Sequence, residues 1–387
     1  MSGVQHVGVG VVGGGWMGQA HARAYLRVPH HYADMPVRPV LAALAEPVEA
    51  LREDATARYG FSNAYAGWRE LLADPAVQVV SVATPPFLHA EIGEAVARAG
   101  KHLWIEKPVG LSLPDAQRIA AGVAEGGGVS RVGYNYRHLP AVVKARALIA
   151  SGAVGRITHA RFRMLTDYAA HPLGSLSWRF EVERGGDGVI GDLLSHGADL
   201  VRHLLGEVDR LVADTAVLIP ERPLPGGAGS HYDVGEKGPL GRVENPDYAA
   251  CLLRTVTEVP VFLEASRVAV GDQNNYGFEV RGTQGLVMWD FRRPGELQVS
   301  SGDSYANQPV TTMLAGPGDG DYARFQPGAG IAMSFDDTKV IECAGLLAAV
   351  ASPSAAPDAG ATIHDGVAAA RLMAAIRDAG EPAWHRV

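Results

Sequence analysis

Residues 6–26, HVGVGVVGGGWMGQAHARAYL, join an apolar β-branched run, a glycine cluster and a helically spaced apolar pattern without a break. A strand, a tight turn and a helix satisfy all three together. Val7, Val9, Val11 and Val12 form the short run expected of a parallel strand covered on both faces. Gly13, Gly15 and Gly18 complete G-x-G-x-x-G at its end, with Trp16 and Met17 between the second and third glycines. The first glycine permits the turn, the second admits a pyrophosphate against the backbone, and the third lets helix and strand close up while the helix N-terminus faces the anion. Among 47 glycines such a motif alone is a weak signal. Its context, a strand before it and Met17, Ala20, Ala24 and Val28 at helical spacing after it, marks a dinucleotide-binding unit.

After a polar, proline-containing loop over 29–39, residues 40–45 read as a second strand, ended by Glu46. A carboxylate there accepts hydrogen bonds from the adenosine ribose hydroxyls and repels a 2′-phosphate, which favours NAD over NADP; Pro47 offers a phosphate no cation. Strand runs at 77–83, 101–105 and 129–134 alternate with a helix over about 89–99 and another opened by the capping sequence Ser112-Leu113-Pro114-Asp115. The fold class is therefore α/β, with a doubly wound parallel sheet over residues 1–134. Ligands of such sheets bind beyond the carboxyl ends of the strands. The glycine turn, Thr84-Pro85-Pro86, Glu106-Lys107-Pro108 and Tyr134-Asn135-Tyr136-Arg137 all fall there. Lys107 at such a strand end is able to hold an ammonium against a substrate oxygen beside the cofactor, although taken alone it reads more readily as a surface lysine.

From about Arg156 the apolar period becomes two, with Thr158, Ala160, Phe162 and Met164 alternating with polar neighbours, and further strands are expected at 211–219, 249–256, 261–270, 278–282 and 286–291. Residues 135–387 thus read as an α+β domain with a large, mostly antiparallel open sheet carrying helices on one face. Its other face is a natural surface for a homodimer or homotetramer. The proline- and glycine-rich stretch 220–247 is expected to be a long loop that borders the pocket or reaches a neighbouring subunit. Two helices follow from about Thr338, separated by a loop over 351–362.

A net charge of -8 without a Lys/Arg run excludes a nucleic-acid partner. No leader and no run of some 18 apolar residues is seen, so a cytoplasmic protein without a membrane partner is expected. Cys251 and Cys343 lack disulfide or metal-ligand spacing; both read as buried small hydrophobes, and no metal is expected.

Gly185-Gly186-Asp187-Gly188-Val189-Ile190-Gly191 leads into a helix expected to start at Asp192. Asp192 and His196, four apart, then share one face of it. A histidine takes a proton from an alcohol near neutral pH, and a nearby carboxylate orients it. Alone, such a pair is as readily a cap or a surface pair, and His203 on the same face reads as packing.

The ordered set Gly13-x-Gly15-x-x-Gly18, Thr84-Pro85, Glu106-Lys107-Pro108, Tyr134-Asn135-Tyr136-Arg137 and Asp192-x-x-x-His196 resembles the Gfo/Idh/MocA oxidoreductases over nearly the whole chain. The resemblance implies an N-terminal Rossmann domain, a C-terminal domain whose open sheet builds dimers or tetramers, oxidation or reduction of a sugar or cyclitol, and a catalytic group of Lys107, Asp192 and His196. Together with Gly13, Gly15, Trp16, Met17, Gly18, Glu46, Thr84 and Pro85, the cofactor set then includes Glu106, Lys107, Asn135, Trp178 and Arg179, with Glu106 and Asn135 near the nicotinamide. Tyr136, Arg137, Asp167, Tyr168 and Trp178 are expected to recognise hydroxyls or stack on the sugar, alongside Asp192 and His196. Ser177-Trp178-Arg179-Phe180, the proline-rich stretch and Asn274-Asn275-Tyr276 are similar to the levoglucosan dehydrogenase subgroup, which oxidises the C3 hydroxyl of an anhydrosugar. Leu194, where the family commonly has a small residue, and Asp187, which interrupts the usual triple glycine, depart from the pattern next to the catalytic helix. The resulting expectation is an NAD-dependent dehydrogenase of a pyranose, anhydrosugar, glycoside or cyclitol. An NAD-dependent glycosidase of the same fold, an oxidoreductase acting on an aminoglycoside sugar, and an NAD(H)-binding sensor are the alternatives.

Overall fold

The N-terminal valine run is a central strand of a six-stranded parallel sheet in the computed structural model, which describes residues 4–225, 234, 238–352 and 360–379. On one side of β1 (Gln5–Val12) lie β2 (Val37–Ala45) and β3 (Asn63–Tyr65); on the other lie β4 (Val79–Val82), β5 (His102–Ile105) and β6 (Ser130–Val132), in the order β3-β2-β1-β4-β5-β6. The order reverses beside β1, the switch point at which such sheets bind ligands. Helices α1 (Trp16–His31), α2 (Glu49–Tyr59), α3 (Trp68–Ala73), α4 (His89–Arg98) and α5 (Leu113–Gly126) connect the strands. Ser112 caps α5 as its sequence requires, its Oγ accepting the Asp115 N–H at 3.3 Å. The loop expected over 29–39 is shorter than that. Pro29, His30 and His31 complete α1, whose Tyr25 and Val28 are fully buried and hold the last turn in place, and β2 already starts at Val37.

The second sheet has eight strands. α6 (Pro140–Ala150) precedes β7 (Ile157–Leu165), and α7 (Val182–Gly185) and α8 (Ser195–Leu205) precede β8 (Val208–Ala216). A short antiparallel pair, β9 (Glu221–Pro223) and β10 (Leu240–Arg242), occupies part of the stretch expected to be all loop; residues 226–233 and 235–237 lie outside the described residues. β11 (Tyr248–Thr255), β12 (Pro260–Ser266), β13 (Asn275–Gly282), β14 (Gly285–Asp290), β15 (Glu296–Ser301) and β16 (Thr311–Leu314) complete the order β16-β15-β14-β13-β7-β12-β11-β8. Among the described residues of this sheet only β7 and β12 pair in parallel. The predicted alternation holds in β7, where Ala160, Phe162 and Met164 point into the core. β15 and β16 had no counterpart in the sequence reading.

The chain forms two compact units: residues 1–138 with 321–327 and 333–368, and residues 139–320 with 328–332 and 369–387. The two expected C-terminal helices are α9 (Phe335–Ala351) and α10 (Ile363–Asp378). A capping box starts α9: Ser334 Oγ accepts the Asp337 N–H at 3.2 Å and the Asp337 carboxylate accepts the Ser334 N–H at 2.7 Å. In the first unit Val340, Cys343, Leu346 and Leu347 of α9 enter the same core as Val9, Val11, Tyr25, Val28, Leu44 and Trp104. Arg23 and Arg27 of α1 pair with Asp336 and Asp337 at its first turn. Cys251 and Cys343 are free and buried, as expected of small hydrophobes. Among the described residues no helix is long and apolar enough to cross a membrane, and no cluster of metal-ligating side chains is found.

Candidate active site

In the first unit the glycine turn has the geometry a dinucleotide needs. Gly13 adopts φ +101°, and a Cβ on Gly18 would sit 1.7 Å from the Gly13 carbonyl oxygen, so helix and strand meet in a way only glycine permits. A Cβ on Gly15 would meet nothing within 4 Å, which leaves the open side that a pyrophosphate occupies. Trp16 is 65% exposed at the start of α1 and stacks on Phe335 with ring centroids 5.4 Å apart; Met17 follows it in the first turn. At the tip of β2 the buried Glu46 carboxylate accepts the Gly14 N–H at 2.7 Å and the Val48 N–H at 2.9 Å. Each oxygen keeps a further lone pair for a hydroxyl. Open cradle, helix terminus and carboxylate together fit NAD: Gly13, Gly15 and Gly18 would take the pyrophosphate and Glu46 the ribose.

The segments after β4, β5 and β6 are tied to one another by side chains. His89 lies between two of them, Nε2 2.9 Å from the Thr84 carbonyl and Nδ1 2.8 Å from the Pro108 carbonyl, so one buried imidazole links Thr84-Pro85 to Lys107-Pro108, whose peptide bond is cis. Lys107 is half-buried. Glu106 is buried, with Oε1 2.9 Å from His21 Nε2 and 2.6 Å from Lys339 Nζ. Burial would raise its carboxyl, but Lys339 and His21 outweigh this and hold it well below the usual carboxylate range. Burial lowers His21 to about 4 despite Glu106, whereas Lys339, although buried, is raised by its two carboxylate neighbours. Asn135 donates to Thr338 Oγ1 at 2.7 Å, and Tyr136 beside it is buried. Arg137, expected at sugar hydroxyls, is buried and pairs with Asp365 of α10 at 3.0 Å.

In the second unit Asp192 lies in a π-turn, Ile190–Leu194, not in the first turn of a regular helix. The Ser195 N–H closes on the Ile190 carbonyl, and α8 with His196 in its first turn begins only at Ser195. The wider turn alters the phase between Asp192 and His196 that ideal four-residue spacing implies. Gly188, with φ +56°, opens the turn, and Gly197 lets α8 press onto the sheet: a Cβ there would meet Leu263 at 2.5 Å. Tyr168, expected at the sugar, donates its hydroxyl to Asp192 Oδ2 at 2.8 Å. Asp167 begins the turn that the Ala170 N–H closes at 2.9 Å. Trp178 and Arg179 form a short 3₁₀ turn, the guanidinium 4.3 Å over the indole. Asp187, whose carboxyl burial raises, faces Arg377 at 3.5 Å.

Three groups escaped the sequence reading. His21 and Lys339 grip Glu106, and His89 joins two loops. In the second unit, buried Arg267 pairs with Asp247 at 2.7 Å and donates to Asn245 Oδ1 at 2.9 Å, while Asn245 Nδ2 donates to the Arg179 and Gly186 carbonyls. That frame fixes both ends of the segment leading to Asp192. The available signal was polarity in apolar company: beyond the polar first turn, Lys339 and Glu342 interrupt a helix otherwise apolar all round, which is the pattern of a buried helix.

Residues 7–134 match the profile of the oxidoreductase family with NAD-binding Rossmann fold, and residues 142–288 match the Gfo/Idh/MocA C-terminal domain. The levoglucosan dehydrogenase of Pseudarthrobacter phenanthrenivorans is 36% identical over 351 residues, 90% of each chain. The inositol 2-dehydrogenase of Rhizobium meliloti is 28% identical over 78% of this chain and 81% of its own. A solved levoglucosan dehydrogenase in complex with NADH and levoglucosan superposes with a TM-score of 0.88 at 34% identity, covering 97% of both chains.

Proposed function

Because the chain belongs to the Gfo/Idh/MocA family of NAD-binding oxidoreductases, we propose that it oxidises a secondary ring hydroxyl, at C3 of a pyranose or anhydrosugar, with NAD as acceptor. Similarity to levoglucosan dehydrogenase over 90% of the chain is the observation that carries this reading. Bound NAD supplies the hydride acceptor. His196 takes the hydroxyl proton, Lys107 stabilises the developing alkoxide, and Asp192, held by the Tyr168 hydroxyl, orients the reacting group. Residues 1–134 hold the cofactor and residues 135–387 hold the substrate and build the assembly. A homo-oligomer is supported by the outward row Val212, Leu252 and Phe262, in register on neighbouring strands, with the first two more than half exposed.

The test is NADH absorbance on mixing protein and NAD with levoglucosan, myo- and scyllo-inositol, glucose, xylose and aminoglycosides, with NADP in parallel. A rise with levoglucosan or a pyranose, and product analysis placing the ketone at C3, supports the reading. Release of free sugar from a glycoside without net NADH would replace it with the hydrolase. His196→Ala should lower turnover by about 10²–10⁴-fold with the Kd for NADH unchanged; wild-type turnover in that variant removes His196 from the mechanism.

A further inference from the structure

We infer that Lys339 is a positioning residue of the redox site, its ammonium fixing the Glu106 carboxylate and, through it, the main chain of Lys107. The inference rests on the reading of Lys107 as a catalytic group. Lys339 is 1% exposed and points to three acceptors: Glu106 Oε1 at 2.6 Å, Glu342 Oε2 at 2.9 Å and the Gly133 carbonyl at 3.5 Å. The two oxygens of Glu106 are divided between the interior and the site. Oε1 takes Lys339 from α9 and His21 from α1, while Oε2 lies 3.3 Å from the Lys107 N–H. The carboxylate is thus a short bridge from two helices to the backbone that carries the Lys107 ammonium. Space around it is closed as well, since a Cβ on Gly133 would approach Oε1 to 2.5 Å.

The charge count explains why a lysine is needed. The ionisable groups around Lys339 are Glu106 just after β5, Glu342 on its own helix, His21 on α1 and, beside Glu342, Arg131 on β6. Without the ammonium Glu106 would be a buried anion with no fixed cation, which is costly in the interior. His21 is the adjacent group able to accept a proton. The imidazole would become the cation, and the carboxylate would swing toward α1 and away from the Lys107 N–H.

The experiment compares wild-type, Lys339→Met and Lys339→Met/Glu342→Leu in the full chain. The double variant also removes Glu342, so that Glu106 is the one carboxylate of the three-membered buried cluster left for His21 to neutralise. Three readouts are taken: thermal midpoint, kcat against KM with NAD and the responsive sugar, and the His21 ring ¹⁵N shifts of the protein without cofactor. The double variant is expected to melt above Lys339→Met, to lose about 10²-fold in kcat, as small misplacements near reacting atoms do, with KM within threefold, and to show a protonated His21 at pH 6, where wild-type is neutral. Recovery of kcat together with the midpoint would make Lys339 a structural partner only and overturn the inference, as would a His21 that stays neutral in both variants. If wild-type oxidises no sugar, the proposed reaction fails by itself, and the His21 shifts still decide whether Lys339 holds Glu106.

Discussion

Glu46 illustrates what a single position carries. The role proposed for it at the ribose comes from its place at the end of the second strand, and two backbone N–H groups, of Gly14 and Val48, fix the carboxylate. A 2′-phosphate brought to that place meets a fixed negative charge. Glu46→Ser should therefore move the ratio of kcat/KM for NADP to that for NAD upward by about tenfold, equivalent to about 1.4 kcal/mol; an unchanged ratio in steady-state assays would remove Glu46 from cofactor choice. Gly13 and Gly18 were legible because the turn they build is local, set by strand, turn and helix adjacent in sequence, and Glu46 because a carboxylate closing an apolar run stands out by residue type. Lys339 and His21 were not, because what defines them is a carboxylate 233 and 85 residues away, and nothing in residue type marked His89 as the link between the Thr84 and Pro108 carbonyls.

Single elements were legible to the extent that their periodicity was strong. The β1 valine run and the β7 alternation are where the sequence puts them, and Ser112 caps α5. The π-turn at Ile190–Leu194 has no signature in residue type, so Asp192-x-x-x-His196 was read as one regular helix. α9 was found as a helix, but the polar pair inside it was not seen as buried, and that pair governs how the element responds to pH. His21, neutral in its burial, is lowered from 6.5 to about 4, so between those values the unfolded chain binds the extra proton and stability rises with pH. Burial raises Glu342 from 4.5 to about 7 against the opposing pull of Lys339, so there the folded chain binds the extra proton and stability falls as pH rises. The two slopes oppose each other between pH 4.5 and 6.5. Glu342→Gln keeps the shape of the protonated acid and removes the falling arm. Its unfolding free energy should climb across that window by up to about 3 kcal/mol relative to wild-type, read by urea unfolding at successive pH values; parallel profiles would refute the assignment.

For the whole molecule, the fold class and the succession of a parallel and a mostly antiparallel sheet followed from the change of period near Arg156. The path of the chain after the second sheet did not. Nothing in the apolar composition of α9 says that its Val340, Cys343, Leu346 and Leu347 complete a core begun by Val9 and Val11 more than 300 residues earlier. A fragment of residues 1–138 therefore contains every strand of the first sheet and lacks part of its core. It should bind a hydrophobic-surface dye strongly and show no cooperative unfolding; a sharp thermal transition for that fragment would contradict the shared core.

The return of α9 also sets an order of events during synthesis. All three glycines of the cofactor turn leave the ribosome early, yet the layer that buries α1 is not made until Leu347 is. The first unit must wait, partly covered, while the whole second sheet is translated, and it closes only once α9 has emerged. A stop codon just after Ser334 would accordingly yield a chain with its nucleotide fingerprint intact and its cofactor affinity lost, vulnerable to proteolysis along the uncovered flank of α1.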